Sequence, residues 1–229
     1  KQSFRKWKET TSTSPSNNHL GLWIAMTYPT TNEEERDRLN RLWTMHHQLL
    51  ILPFNTGIPL KRWRKIVNIM LEKINGQPYL HKLRVIQIIE ADYNLTLKSV
   101  FGRQLLWHGE EHDNYHEAQG GSRPGRNTTD VSITQEMIYD INRRMNTDHA
   151  SNENDAKACY DRMIVALMSI INRARGMDKN LVATRARVLT EAHYHIKTKL
   201  GMSENYYTNS EESPTHGSGQ GAGDSSNQW

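Results

Sequence analysis

The sequence holds a single cysteine, Cys159, in 229 residues. No internal disulfide can form, so a reducing compartment, or indifference to redox state, is expected. No apolar run approaches the roughly 18 residues that a membrane span requires, and the N-terminus lacks the apolar core of a secretory signal. A soluble, intracellular protein with no membrane partner is therefore expected; nucleus and cytoplasm are not distinguished. Apolar residues are also few, at 36% of the chain and about 42% with the 14 glycines, against a usual roughly 45–50%. Such a shortage leaves surface that calls for further protein or a polar polymer. There are no internal repeats.

Positive charge is what the chain has in excess. Its net charge of +4 and pI near 9.1 favour polyanions. Lys1, Arg5, Lys6 and Lys8 form one basic cluster, and Lys61, Arg62, Arg64 and Lys65 surround Trp63 in another. Runs of this kind are ordinarily solvated helix faces, so charge alone does not single out nucleic acid. The chain begins at Lys1 rather than Met, and a piece of a longer protein is expected.

Residues 1–30, rich in Thr, Ser and Pro, read as an extended lead-in. Asn32 followed by Glu35 resembles a capping box, and Leu39, Leu42, Trp43, Leu49 and Leu50 then recur at helical spacing until Pro53. Pro59 opens a second amphipathic segment with Leu60, Trp63, Ile66, Val67 and Met70 on one side. Asn75-Gly76 and the β-branched run Leu83–Ile89 predict a hairpin whose first strand competes with that helix. Helices are predicted near 93–107, 128–146, 158–175 and 179–199. From Thr208 onward only Ala222 and Trp229 are apolar, a composition that reads as disordered. The fold class expected is α+β.

Two segments have chemical potential. In Asn154-Asp155-Ala156-Lys157-Ala158-Cys159-Tyr160-Asp161, a carboxylate at the start of a helix can offer hard oxygens to Mg²⁺. Tyr160 would lie about one turn on, where its ring can wall a sugar. Taken alone, a helix-capping Asp and a core Tyr explain the same residues. In His216-Gly217-Ser218-Gly219-Gln220-Gly221-Ala222-Gly223-Asp224-Ser225, glycines permit close backbone approach and Gln220 can bond a base or sugar edge. The plain alternative is a flexible linker. His108, His112 and His116 recur at every fourth position and could bind Zn²⁺ if helical; Gly109 and Asp113-Asn114 argue instead for a wet surface. Cys159 has neither the basic partner nor the exposure of a catalytic thiol.

The two segments together, Asp155-x-x-x-Cys159-Tyr160-Asp161 and Gln220-Gly221-x-x-x-Ser225, resemble the first palm motif and the Gln-Gly motif of reverse transcriptases. Two upstream segments are similar to the fingers motifs of the non-LTR retrotransposon and group II intron-like type. They are Arg84–Ile89 with Asp92-Tyr93, Lys98 and Arg103, and Gln119-Gly120-Gly121-Ser122-Arg123-Pro124-Gly125-Arg126-Asn127-Thr128-Thr129-Asp130. Four motifs in family order cover roughly residues 70–229. A weaker similarity to retrotransposon lead-ins covers Trp7-Lys8-Glu9, Thr13-Ser14-Pro15 and His19-Leu20-Gly21.

The resemblance implies the helix-rich fingers and partial palm of a right-hand polymerase: a lead-in and helix over 1–58, fingers over 59–150, and palm from 151 to 229. It implies an RNA-directed DNA polymerase that adds deoxynucleotides to a primer by two-metal phosphoryl transfer. Asp155 would ligate Mg²⁺, Tyr160 would select the sugar, and Gln220 would support the incoming nucleotide. Lys73 and Arg84, facing each other across the hairpin, would hold the triphosphate, and Arg123 and Arg126 the template backbone. The implied partners are an RNA template, a DNA primer, deoxynucleoside triphosphates and the remainder of the polymerase chain. The sequence departs from the family in three ways. Ala150–Asn154 is polar where an apolar strand is usual, Val85 and Ser226 stand where proline is common, and the paired-aspartate motif is not reached before Trp229. Alternative expectations are a non-enzymatic, basic, helical nucleic-acid-binding protein and an inactive relative of a polymerase.

Overall fold

The computed structural model describes residues 2–8, 14–151, 159–211, 214 and 217–225. Asp155 lies outside the described residues, as does the polar segment from Asn152 to Asn154 ahead of it. The class is α+β, with helices packed around a small mixed sheet.

The lead-in is not extended throughout. Gln2–Arg5 (α1) and Leu20–Ala25 (α2) are short helices. They pack Phe4 and Leu20 against Ala91, with Trp7, Trp23, Trp43 and Leu95 around them. Phe4 stacks on Trp23 at 5.5 Å, and that contact between distant rings, invisible to composition, orders the segment.

Helix α3 (Glu33–Thr56) starts as expected: the Asn32 side chain accepts from the Glu35 amide at 3.1 Å. The Glu35 carboxylate does not return to the Asn32 backbone; it accepts from the Thr30 hydroxyl at 2.6 Å. The helix continues three residues past Pro53 and closes at Gly57 in the left-handed conformation. Carbonyls at its C-terminal end, of which that of Pro53 also accepts from the Gly57 amide at 2.7 Å, bond to helix α8 (Lys179–Thr190). Thr184 donates to the Pro53 carbonyl at 2.7 Å, Asn180 to Asn55 at 2.6 Å, and Arg187 to Gly57 at 2.9 Å.

The helix expected from Pro59 is replaced by a 3-10 turn, Lys61–Arg64, and strand β1 (Lys65–Glu72). β2 (Leu83–Ile88) pairs with β1 antiparallel, so the hairpin forms, but it closes wider than Asn75-Gly76, through a Lys73 amide to Lys82 carbonyl bond of 3.0 Å. The helix expected to reach 199 stops at Thr190, and β3 (His193–Thr198) follows, parallel to β1, with β4 (Gly201–Met202) at the edge. The order is β2-β1-β3-β4. Strands from residues 59–150 and 151–229 thus share one sheet. The reason for both differences is the same. Ile66 pairs with Tyr194 across 128 residues of sequence, and no local window contains that bond.

A single helical rod leaves β2: α4 (Ala91–Leu97), a π-helical stretch (Lys98–Gln104) and α5 (Leu105–Glu111). Tyr93, Leu97, Phe101 and Leu105 project from it into the core beside Trp63 and Val188. At its start Asp92 is buried and ion-paired with Arg62, and His46 lies 3.5 Å from it. After a loop comes α6 (Thr128–Met145), with a complete capping box between Asn127 and Asp130. A 3-10 turn over Cys159–Arg162 and helix α7 (Val165–Ala174) complete the fold.

Burial pulls the His46 pKa below its ordinary value of 6.5, with Asp92 pulling the other way. The unfolded chain then binds this proton more readily than the folded one. The stability His46 contributes is present above 6.5 and is lost as pH falls below it. Urea midpoints measured on either side of that pH should fall on acidification, and His46→Phe should flatten the dependence.

Candidate functional site

The glycine-rich segment from Gly217 to Ser225, compositionally a linker, is packed into the protein. Gly217, Ser218, Gly219, Asp224 and Ser225 are all buried. At one end Gly217 donates to the Met163 carbonyl at 2.8 Å and Ser218 to that of Tyr160 at 2.9 Å. In the middle the Gln220 carbonyl accepts from the Gln87 amide of β2 at 2.8 Å. At the far end the Gly223 amide donates to the Asn94 side chain of α4 at 2.6 Å. The strap therefore bridges the Tyr160 turn, the outer strand and the helical rod.

Side chains are excluded along this path. A Cβ on Gly217 would stand 2.7 Å from the Tyr160 carbonyl oxygen, and one on Gly221 would stand 2.8 Å from that of Gln87. Both residues also hold positive φ, +105° and +114°, where L side chains are strained.

The strap is anchored by charge. Asp224, fully buried, accepts from Arg185 Nε at 2.9 Å and from Nη2 at 3.1 Å. The same Nη2 donates to the Ser218 carbonyl at 2.7 Å, so one guanidinium ties both ends of the strap. Burial pushes the Asp224 carboxyl up, against the pull of Arg185. Burial also disfavours the Arg185 charge, but Asp224 and Tyr93 outweigh it and hold that pKa above its ordinary value. Tyr93, completely buried in the field of this pair, is pushed up to about 12, chiefly by burial.

Tyr160 sits in the 3-10 turn, half-buried. With Gln119, Gly120, Gly121, Ser122 and Val131 it lines a cleft of about 700 Å³. Gly120 is required there, since a Cβ would meet Val131 Cγ2 at 2.2 Å. A second, larger cleft of about 1100 Å³ shares Ala118 and Val131 with the first and reaches Arg126, Asp130 and Ser151. Ser151 and Tyr160 flank the undescribed segment that carries Asp155.

The remaining predicted residues divide. Lys73 and Arg84 are both exposed, and they are diagonal rather than opposite, since Arg84 pairs with Leu71 while Lys73 bonds to Lys82. Arg126 is exposed and donates to the Glu117 carbonyl at 3.0 Å. Arg123 ties its loop to α5: Nε and Nη2 reach Glu110 at 2.7 and 2.8 Å, and Nη1 reaches the His116 carbonyl at 2.9 Å. That pairing lowers the Glu110 pKa and raises that of Arg123. Arg123 and Arg175 both lie over the Tyr115 ring at 5.5 Å. Arg123 thus shapes the loop that presents Arg126.

The chain matches no protein-family model and no curated protein. What sequence reasoning missed is Arg185, a buried cation inside α8. Its signal was faint: an arginine on the apolar side of an amphipathic helix, with its acidic partner 39 residues away.

Asp224→Ala should cost about 3–5 kcal/mol, because it leaves Arg185 buried without its counter-ion; chemical denaturation measures it, with Glu204→Ala on the surface as control. In alkali, the Tyr93 contribution is present below pH 10.0 and is lost as pH rises toward about 12. Tyr93→Phe should remove that part of the alkaline transition followed by circular dichroism.

Proposed function

We propose that this chain forms the fingers and first part of the palm of a reverse transcriptase, an RNA-directed DNA polymerase. The observation that carries the reading is the docked strap. A glycine-rich segment that composition calls a linker is bonded to β2 through Gln87 and to the Tyr160 turn through Ser218, while Tyr160 shares its cleft with the loop 119–122. Described residues of the four sequence motifs thus adjoin one another in turn, which supports the reading.

In this reading Asp155 binds Mg²⁺, the ring of Tyr160 walls the deoxyribose, and Gln220 lies against the incoming nucleotide. Arg84, three residues along β2 from Gln87, and Lys73 supply cations to the triphosphate. Arg126 contacts the RNA template backbone, with Arg123 holding its loop in place. A two-metal site needs carboxylates from separate strands, so the remainder of the polymerase chain is a required partner. The apolar side chains exposed along α6, Ile133, Met137, Ile141 and Met145, are a surface on which it would pack.

In the polymerase chain, Asp155→Ala should abolish primer extension on an RNA template while leaving primer–template affinity within about twofold. Retained extension would falsify the metal assignment. Residues 1–229 alone should bind an RNA–DNA primer–template without incorporating nucleotide. Arg126→Ala should reduce the slope of log affinity against log salt by about one, as loss of one phosphate contact requires.

A further inference from the structure

We infer that α5 carries a surface site for Zn²⁺ or a similar borderline transition-metal ion, built from His108, Glu111 and His112. Among the described residues these three bring two imidazoles and a carboxylate together, with ligating atoms all within 4.8 Å of one another. The spacing explains the convergence. At 3.6 residues per turn, positions 108, 111 and 112 fall on one side of the helix, while Glu110, which holds Arg123, faces nearly the opposite way.

The His112 ring is already oriented for the task. α5 ends at Glu111, so the His108 carbonyl is among those the helix leaves without an intrahelical amide, and the backbone N–H of His112 turns to Glu110 instead. His112 Nδ1 lies 2.8 Å from that His108 carbonyl oxygen. A carbonyl only accepts, so Nδ1 carries the hydrogen and Nε2 keeps its lone pair. This is the arrangement by which ligating histidines are fixed in tautomer and ring orientation. The two rings lie 4.1 Å apart, centre to centre.

His116, the third histidine of the sequence pattern, takes no part. The helix has ended, Asp113 adopts positive φ, and His116 Nδ1 accepts from the Ala118 amide at 3.1 Å. Glu111 replaces it. Two nitrogens and one oxygen suit Zn²⁺, whereas Mg²⁺ prefers oxygen ligands and octahedral geometry. Tetrahedral coordination at about 2.0–2.1 Å requires the donors to draw closer than they stand. The three side chains are exposed, so rotation about their own bonds achieves this without disturbing the core. The ion would also sit at the C-terminal end of α5, where the helix dipole favours a positive charge.

Titration of the chain with Zn²⁺ alone, followed by calorimetry, should show one ion bound. His108→Ala and His112→Ala should each weaken it by about tenfold or more, with His116→Ala unchanged. In the unaltered chain, the ring resonances of His108 and His112 should move together on adding Zn²⁺, and neither should move with Mg²⁺. Absence of Zn²⁺ binding, affinity indifferent to both alanine variants, or unmoved His108 and His112 resonances would overturn the assignment.

Discussion

The buried pair between Arg185 and Asp224 is the contact on which the candidate site depends. Two ions withdrawn from water cost several kcal/mol each, and only close geometry with satisfied hydrogen bonds compensates. Here the guanidinium meets both carboxylate oxygens and the Ser218 carbonyl. Without it, a segment with almost no apolar side chains has little to hold it against the sheet. With it, the strap bonds to both β2 and the Tyr160 turn. Glycine makes the docking possible, because hydrogen bonds at this spacing leave no room for a Cβ at positions 217 and 221.

The loop between α5 and α6 follows a related logic on a smaller scale. It has no strand of its own, and its order comes from the Arg123–Glu110 pair and from the Arg123 and Arg175 guanidinium groups over the Tyr115 ring. Gly109 leaves the space that the Tyr115 ring fills, since a Cβ there would lie 2.3 Å from it. Arg123, expected at the template backbone, is bonded to Glu110 and to the His116 carbonyl, and the neighbouring Arg126 lies on the surface. The clefts on either side of the first turns of α6 are products of this loop.

Local signals were legible where they are complete within a few residues. At α6 the helix was read but its equally local Asn127–Asp130 capping box was not; the Asn32 cap of α3 was readable because it closes within three residues. The hairpin was readable for the same reason, though its turn is wider than Asn75-Gly76 suggests. β1 was read as a helix because Trp63, Ile66, Val67 and Met70 fit a 3.6-residue period as well as they fit a strand. His193–Thr198 failed likewise. Both are strands because they pair with each other, and that pairing is non-local.

The sequence by itself determined the chemistry on offer: the residue types of the motifs, the Asn32 helix cap, the scarcity of apolar residues, and the glycines without which the strap could not lie flat. Tertiary structure alone decided that residues 217–225 are packed rather than loose, that Arg123 builds while Arg126 faces solvent, and that the motifs around Tyr160 share a cleft. The physical reason is that ion pairing and strand pairing across a hundred residues depend on distance in space, which no window of sequence contains.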